Sequence, residues 1–295
     1  MADDDFSTIA IVGLGLIGGS LGLSLQSALP QSTVVGWDRS PEVTAAALDR
    51  GVIDQNTAAI DAAVQNADLV IVATPVLTVE AVFEAIAPHL KPGAIVSDVA
   101  STKVRVVAWA EAILPDTVTF VGGHPMAGSE QHGIANARSD LFNGAVYCLT
   151  PTAATPSIAV TQVDRLVRSI GAQPLHIDVH THDAAVAAIS HLPFVLAAVL
   201  VEHATTDAAW NNMRKLAATG FRDTTRLASG DVRMHRDICL TNAAALMHHL
   251  LGMAQRLEEI ADHLDDPVYL ERLFGEAKEQ RDAWLAFTTE ARKRD

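Results

Sequence analysis

The sequence predicts an α/β fold: a doubly wound parallel sheet in the N-terminal part, followed by an all-α C-terminal domain. Apolar runs of strand length alternate with helical patterns up to about residue 177, and a Gly-x-Gly-x-x-Gly turn closes the first of them. Beyond residue 178 strand signals stop, and alanine- and leucine-rich helical patterns continue to the end. The expected division is residues 1–178 for the sheet domain and 179–295 for the helical domain.

The strand candidates are Thr8–Val12, Thr33–Trp37, Leu69–Ala73, Ala94–Asp98 and Thr117–Gly122. Helix candidates at Leu16–Leu29, Pro41–Asp49, Val79–His89 and Lys103–Ile113 lie between them. Continuous apolar strands separated by helices imply a parallel sheet covered on both faces. Ser40-Pro41 reads as an N-cap with a first-turn proline, and Lys91-Pro92-Gly93 as a turn. Ala145–Thr150, a helical stretch through Val163 and Ile170, and Gln173–Ile177 continue the alternation. The apolar run Ala184–Val201 holds Ser190, His191 and Pro193 and lacks basic flanks, so it reads as a buried interior helix and no membrane span is expected. The charged stretch from Glu271 to Asp295 reads as a solvated, fraying helix.

With 295 residues, 49% hydrophobic and 19% charged, the chain is long enough for two domains with a large core. The net charge of −14 (21 basic against 35 acidic residues) argues against a nucleic-acid partner. An anionic substrate then needs a local cluster of basic side chains. Two cysteines, Cys148 and Cys239, offer neither a disulfide framework nor metal-ligand spacing. His180/His182 and His248/His249 lack further ligands at the right spacing, so no metal is expected. The acidic N-terminus M-A-D-D-D-F-S carries no apolar segment, which makes the cytoplasm the expected compartment. Helices apolar on more than one face imply a homodimer through the helical domain.

Strand, glycine turn and helix start in that order form a phosphate site of the Rossmann type. Gly13 permits the turn, Gly15 lets a pyrophosphate approach the backbone, and Gly18 lets strand and helix pack closely. Leu16 and Ile17 lie between them at the positive helix end. Asp38, twenty residues after Gly18, sits where a carboxylate accepts the ribose hydroxyls. It favours NAD, while Arg39 and Ser40 leave NADP as the alternative. Thr74 and Pro75 end another strand and would face the cofactor, although Ala73-Thr74-Pro75 also serves as a plain terminator.

Candidates for chemistry sit at later strand ends. The segment Val121–Glu130 (V-G-G-H-P-M-A-G-S-E) offers His124, whose near-neutral titration suits proton transfer coupled to hydride transfer. Ser101 and Thr102, in Asp98–Lys103, either cap the next helix or reach nicotinamide and substrate. His191 is either a satisfied core histidine or a site residue. Arg222 and Arg226 either grip a carboxylate or form surface pairs with Asp223 and Asp231.

Together the motifs G-L-G-L-I-G-G-S, D-V-A-S-T-K, G-G-H-P-M-A-G-S-E, S-H-L-P-F and G-F-R-D-T-T-R-L-A resemble the prephenate/arogenate dehydrogenase family of tyrosine biosynthesis, in the family's order from about residue 8 to 245. The resemblance implies oxidative decarboxylation of a cyclohexadienyl carboxylate, prephenate in the first reading and arogenate in the alternative. It implies that His124 accepts the hydroxyl proton and that Ser101 bonds the same hydroxyl and orients His124. It further implies that Arg222 holds a carboxylate with Arg226 as fallback, and that His191 and Glu130 lie near the substrate. His235 stands where the family usually carries Trp. Two other readings compete. A β-hydroxy-acid or imine reductase would use a lysine in the helical half, where Lys215 is the one Lys between His180 and Phe274. A nucleotide-sensing module would need none of these polar candidates.

Overall fold

The computed structural model describes residues 6–128 and 131–291. Its first part alternates β1 (Thr8–Val12), α1 (Leu16–Ala28), β2 (Thr33–Trp37), α2 (Pro41–Asp49), β3 (Gln55–Asn56), α3 (Ile60–Val64), β4 (Leu69–Val72), α4 (Val79–Ile86), β5 (Ile95–Asp98) and α5 (Val104–Ile113). It continues with β6 (Thr119–Pro125), β7 (Val146–Thr150), α6 (Ser157–Ser169) and β8 (Gln173–His176). The strands form one eight-stranded sheet in the order β3-β2-β1-β4-β5-β6-β7-β8. All pairings are parallel except β6 with β7. The order reverses between β1 and β4, and ligands of such sheets bind in the crevice at that switch point.

Both faces of the sheet are covered because its strands are apolar on both sides. One core joins Ile9 and Ile11 of β1 to Leu21 and Leu25 of α1 and to Leu166 and Val167 of α6. The other joins Val70 and Val72 of β4 to Phe83 and Ile86 of α4 and to Val106 of α5. Phe83 and Phe120 meet edge to face at 5.6 Å.

The helical part runs α7 (Val179–Val186), a π-helical turn (Ala187–His191), α8 (Leu192–Thr206), α9 (Trp210–Leu216), α10 (Thr219–Thr225), a 3-10 turn (Arg226–Ser229), α11 (Val232–Thr241), α12 (Ala243–Asp262) and α13 (Pro267–Ala291). Residues Met1–Leu246 form one compact unit and Met247–Asp295 a second, with the division inside α12.

Four local expectations need correction. β6 does not stop at Gly122: pairing with β7 carries it through His124 and Pro125, so the histidine stands on a strand rather than in a loop. The alternation does not continue unbroken after β6, since β7 returns antiparallel; apolar runs carry no direction. β3 and α3 were not anticipated, being two and five residues long. Finally, the apolar segment is not an interior helix within one chain. Val179–Thr206 is long and apolar enough to cross a membrane, yet only 33% of its most apolar window is buried, and Ile189 and Val199 face outward.

Candidate active site

The glycine turn meets the end of β4 at the switch point. Gly13 has φ +97°, and a Cβ there would fall 2.7 Å from the Ala73 carbonyl oxygen and 2.9 Å from Thr74 Cγ2. Gly18 lies so close to Gly13 that a Cβ would come within 1.9 Å of the Gly13 oxygen. Gly15 is the opposite case: it caps α1, and a Cβ would meet nothing within 4 Å. Leu16 and Ile17 form the first turn of that helix, where backbone N–H groups await an acceptor.

Asp38 follows β2, and its Oδ2 accepts the Leu14 N–H at 2.9 Å and its Oδ1 the Ser40 N–H at 3.0 Å. Each oxygen keeps a lone pair for a ribose hydroxyl. Arg39 beside it is exposed, as is Pro75. Thr74 Oγ1 is buried and has no hydrogen-bond partner among the described residues. An open glycine cradle, a ribose-height carboxylate and an orphaned hydroxyl at one crevice are the parts a dinucleotide completes.

At the end of β5, Asp98 and Lys103 form a fully buried ion pair. Lys103 Nζ also donates to the Gly123 carbonyl at 2.7 Å, and Asp98 Oδ1 accepts the Gly123 N–H at 3.1 Å. The residue before His124 is therefore held from both sides. Burial pushes the Lys103 ammonium down, opposed by the Asp98 charge.

His124 is almost wholly buried, and burial first, then the charges of His182, Lys103 and His191, hold it well below the usual imidazole range. Its Nδ1 lies 2.9 Å from His182 Nε2, and His182 Nδ1 lies 2.8 Å from Asp183 Oδ1. The Asp183 carboxylate also accepts the N–H groups of Lys103 at 2.8 Å and Val104 at 2.9 Å, capping α5 from α7. Ser101 and Thr102 do not cap that helix; Thr102 Oγ1 instead bonds Thr241 Oγ1 at 2.9 Å. His124 Nδ1 is held by His182 rather than by Ser101, whose half-exposed side chain makes no hydrogen bond to it among the described residues. Sequence reasoning weighed His182 only as a metal ligand and missed Asp183. The one signal was an adjacent His-Asp pair just past the Asp178 cap.

His191 ends the π-helical turn fully buried, a local geometry common at functional sites. Asn242 Nδ2 donates to the Asp183 carbonyl at 2.7 Å and lies 3.3 Å from His191 Nδ1. Among the described residues His191 Nε2 is buried without a partner, and desolvation lowers the ring to about 4. Phe194 stacks on His235 at 4.1 Å and 2°, and a Cβ on Gly230 would fall 2.5 Å from His235 Cε1. His235, Gly230, Asp231, Met234, Leu227, His132 and Gly128 line a cavity of about 230 Å³; His124 does not.

The two arginines differ. Arg222 is 73% exposed, with Nε on Asp223 Oδ1 at 2.9 Å, a surface pair. Arg226 opens the turn that packs on α8 and precedes cavity-lining Leu227. Glu130 lies outside the described residues. Among the described residues no three His, Cys, Asp or Glu groups converge on a metal position.

Comparison with known proteins bears on both halves. Residues 21–175 match the family described as prephenate dehydrogenase, nucleotide-binding domain, and residues 178–275 match prephenate dehydrogenase, dimerization domain. The chain is 38% identical over 280 residues to the prephenate dehydrogenase of Bacillus subtilis, covering 93% of this chain and 75% of that one. It is similar to the crystal structure of A. aeolicus prephenate dehydrogenase in complex with hydroxyphenyl propionate and NAD+ (TM-score 0.87, 30% identity, 95% of this chain and 98% of that one). Synechocystis arogenate dehydrogenase is also similar (TM-score 0.83, 30% identity, 94% and 99%).

Replacing Lys103 by Met is expected to destabilise the fold by about 3–5 kcal/mol, because it strands the buried Asp98 carboxylate. Urea unfolding followed by circular dichroism measures it, and a loss under about 1 kcal/mol would contradict the assignment.

Proposed function

The chain belongs to the prephenate dehydrogenase family, and from that premise we propose that it converts prephenate to 4-hydroxyphenylpyruvate by oxidative decarboxylation with NAD. The observation that carries the reading is His124, a buried imidazole kept neutral on β6, two strands along the sheet from the β4 end that meets the glycine turn. Gly13, Gly15, Gly18 and the first turn of α1 would hold the pyrophosphate, Asp38 the adenosine ribose, and Thr74 the nicotinamide side. Asp38 disfavours a 2′-phosphate, so NAD is preferred to NADP. When bound, NAD accepts the hydride from the carbinol carbon.

His124 takes the hydroxyl proton as that hydride leaves. The ring carboxylate then departs as CO2, its bonding pair entering the ring, and the proton returns to the phenol oxygen. No net proton is released. Aromatisation drives the step, so the protein supplies position and one proton acceptor. Ser101 would bond the same hydroxyl, with His191 near the substrate.

For the substrate carboxylate Arg226 comes before Arg222, since it opens the turn packed on α8 and immediately precedes cavity-lining Leu227, while Arg222 is 73% exposed. Arogenate is the second reading. Neutral His235 in the cavity wall, where the family usually has Trp, favours testing it beside prephenate.

The outward apolar residues of α8, and separately Met247, Leu251, Phe274 and Trp284 of α12 and α13, support a homodimer. The polar bonds of His182 and Asp183 to the sheet domain speak against α7 lying in lipid. Two unpaired cysteines suit a reducing cytoplasm.

Replacing His124 by Asn is expected to cut turnover about 10²–10⁴-fold with NAD affinity retained, read by absorbance at ~340 nm. Because its pKa is lowered, kcat/KM should stay level near neutrality and fall only well below pH 6.5. The groups acting on it are His182, Lys103 and His191, with Asp183 behind His182. Normal turnover in the variant would remove the base. Arg226→Ala should raise the prephenate KM at least about tenfold, whereas Arg222→Ala should change it less than about twofold. The reverse order would return the role to Arg222. Sedimentation at micromolar concentration should give twice the 31.3 kDa chain mass, and a monomer would refute the dimer.

A further inference from the structure

We infer that His182 and Asp183 are positioning residues that fix the tautomer of His124, leaving its Nε2 as the nitrogen without a proton. The inference rests on the reading of His124 as the base. It begins at the carboxylate. Asp183 Oδ1 faces the Lys103 N–H and His182 Nδ1, and Oδ2 faces the Val104 N–H. An ionised carboxylate only accepts, so His182 Nδ1 must carry hydrogen.

With one proton on that ring, His182 Nε2 is an acceptor. Its neighbour at 2.9 Å, His124 Nδ1, must then be the donor. The remaining lone pair of His124 lies on Nε2, which is where a base needs it. A second proton on His182 would place an imidazolium in a dry site that already holds the Lys103 ammonium, and Asp183 is partly neutralised by two backbone N–H groups.

After proton transfer the His124 imidazolium keeps its Nδ1–H on His182, and the Asp183 charge stands behind both rings. A carboxylate orienting an imidazole through hydrogen bonds is the logic of catalytic triads. Here the alignment passes through two rings. The same residue steers the other buried histidine oppositely: Asn242, held on the Asp183 carbonyl, offers an N–H to His191 Nδ1 and leaves the proton of His191 on Nε2. One imidazole is set to accept and the other to donate.

The test uses the full-length protein labelled with ¹⁵N-histidine, the His124 signals being those lost in His124→Asn. At neutral pH the wild-type protein should show hydrogen on Nδ1 of His124 and none on Nε2. The opposite tautomer would overturn the inference whether or not any variant folds. In parallel, His182→Leu should lower kcat by about 10²-fold with the NAD KM within about twofold, and His182→Gln, whose carbonyl can accept from His124, should recover at least about tenfold of that loss. A folded His182→Leu enzyme with full kcat would also overturn it. Turnover surviving in His124→Asn would instead strike the base assignment itself, so the two failures are separable.

Discussion

The carboxylate of Asp183 is the constraint on which the site depends. Three N–H donors converge on it, two from the start of α5 and one from His182. Helix α5 has no cap of its own, so its exposed N–H groups and positive end are satisfied from α7. That bond set docks the first helix after the sheet onto the end of β5. From there two arms lead to the same imidazole. One runs through His182 to His124 Nδ1, and the other through the Lys103 side chain and Asp98 to both backbone groups of Gly123. A shift of α7 would move the ring and the strand that carries it together.

Such a cluster is not the cheapest way to hold a fold. Burying an ammonium and two carboxylates has a desolvation cost that an apolar core of the same volume would avoid. Its members are nearly all satisfied, however: Asp98, Lys103 and Asp183 each have several partners. Nearby Tyr147 and Cys148 are pushed up by burial and stay neutral. The gain is directional. A packed aliphatic core tolerates small rotations, whereas a histidine between a fixed donor and a fixed acceptor does not. Among the described residues, Thr74 Oγ1, Thr150 Oγ1 and His191 Nε2 are buried without a hydrogen-bond partner.

The sheet, the glycine turn, Asp38 and the position of His124 were legible because each is a local pattern. Glycines at fixed spacing, an acidic residue at the end of a second apolar run and a histidine closing a later one need no knowledge of distant partners. What could not be read depends on contacts between remote segments. Asp183 meets Lys103 across 80 residues, and H-T-H-D suits a metal pair as well as a relay. The antiparallel return of β7 is invisible because an apolar run has no direction. Ile189 and Val199 look the same in sequence whether they fill a core or a subunit face. Arg222 and Arg226 share one motif, and only their placement distinguishes them, Arg222 on an exposed surface and Arg226 next to cavity-lining Leu227.

The same reasoning limits what His235 can decide about substrate. Its ring lies parallel on Phe194 and is seated against Gly230, a flat stack that an indole could also make. The difference is polar. An indole has one N–H to offer, while a neutral imidazole offers a donor and an acceptor. Burial lowers His235, with the Asp231 charge opposing, which favours the neutral form at physiological pH. Neutral His235 can donate to a keto oxygen or accept from an ammonium, so this wall rejects neither side chain of the two cyclohexadienyl substrates. Discrimination there would need a fixed charge. Asp231 stands on the same wall, with its Oδ1 accepting the Met234 N–H.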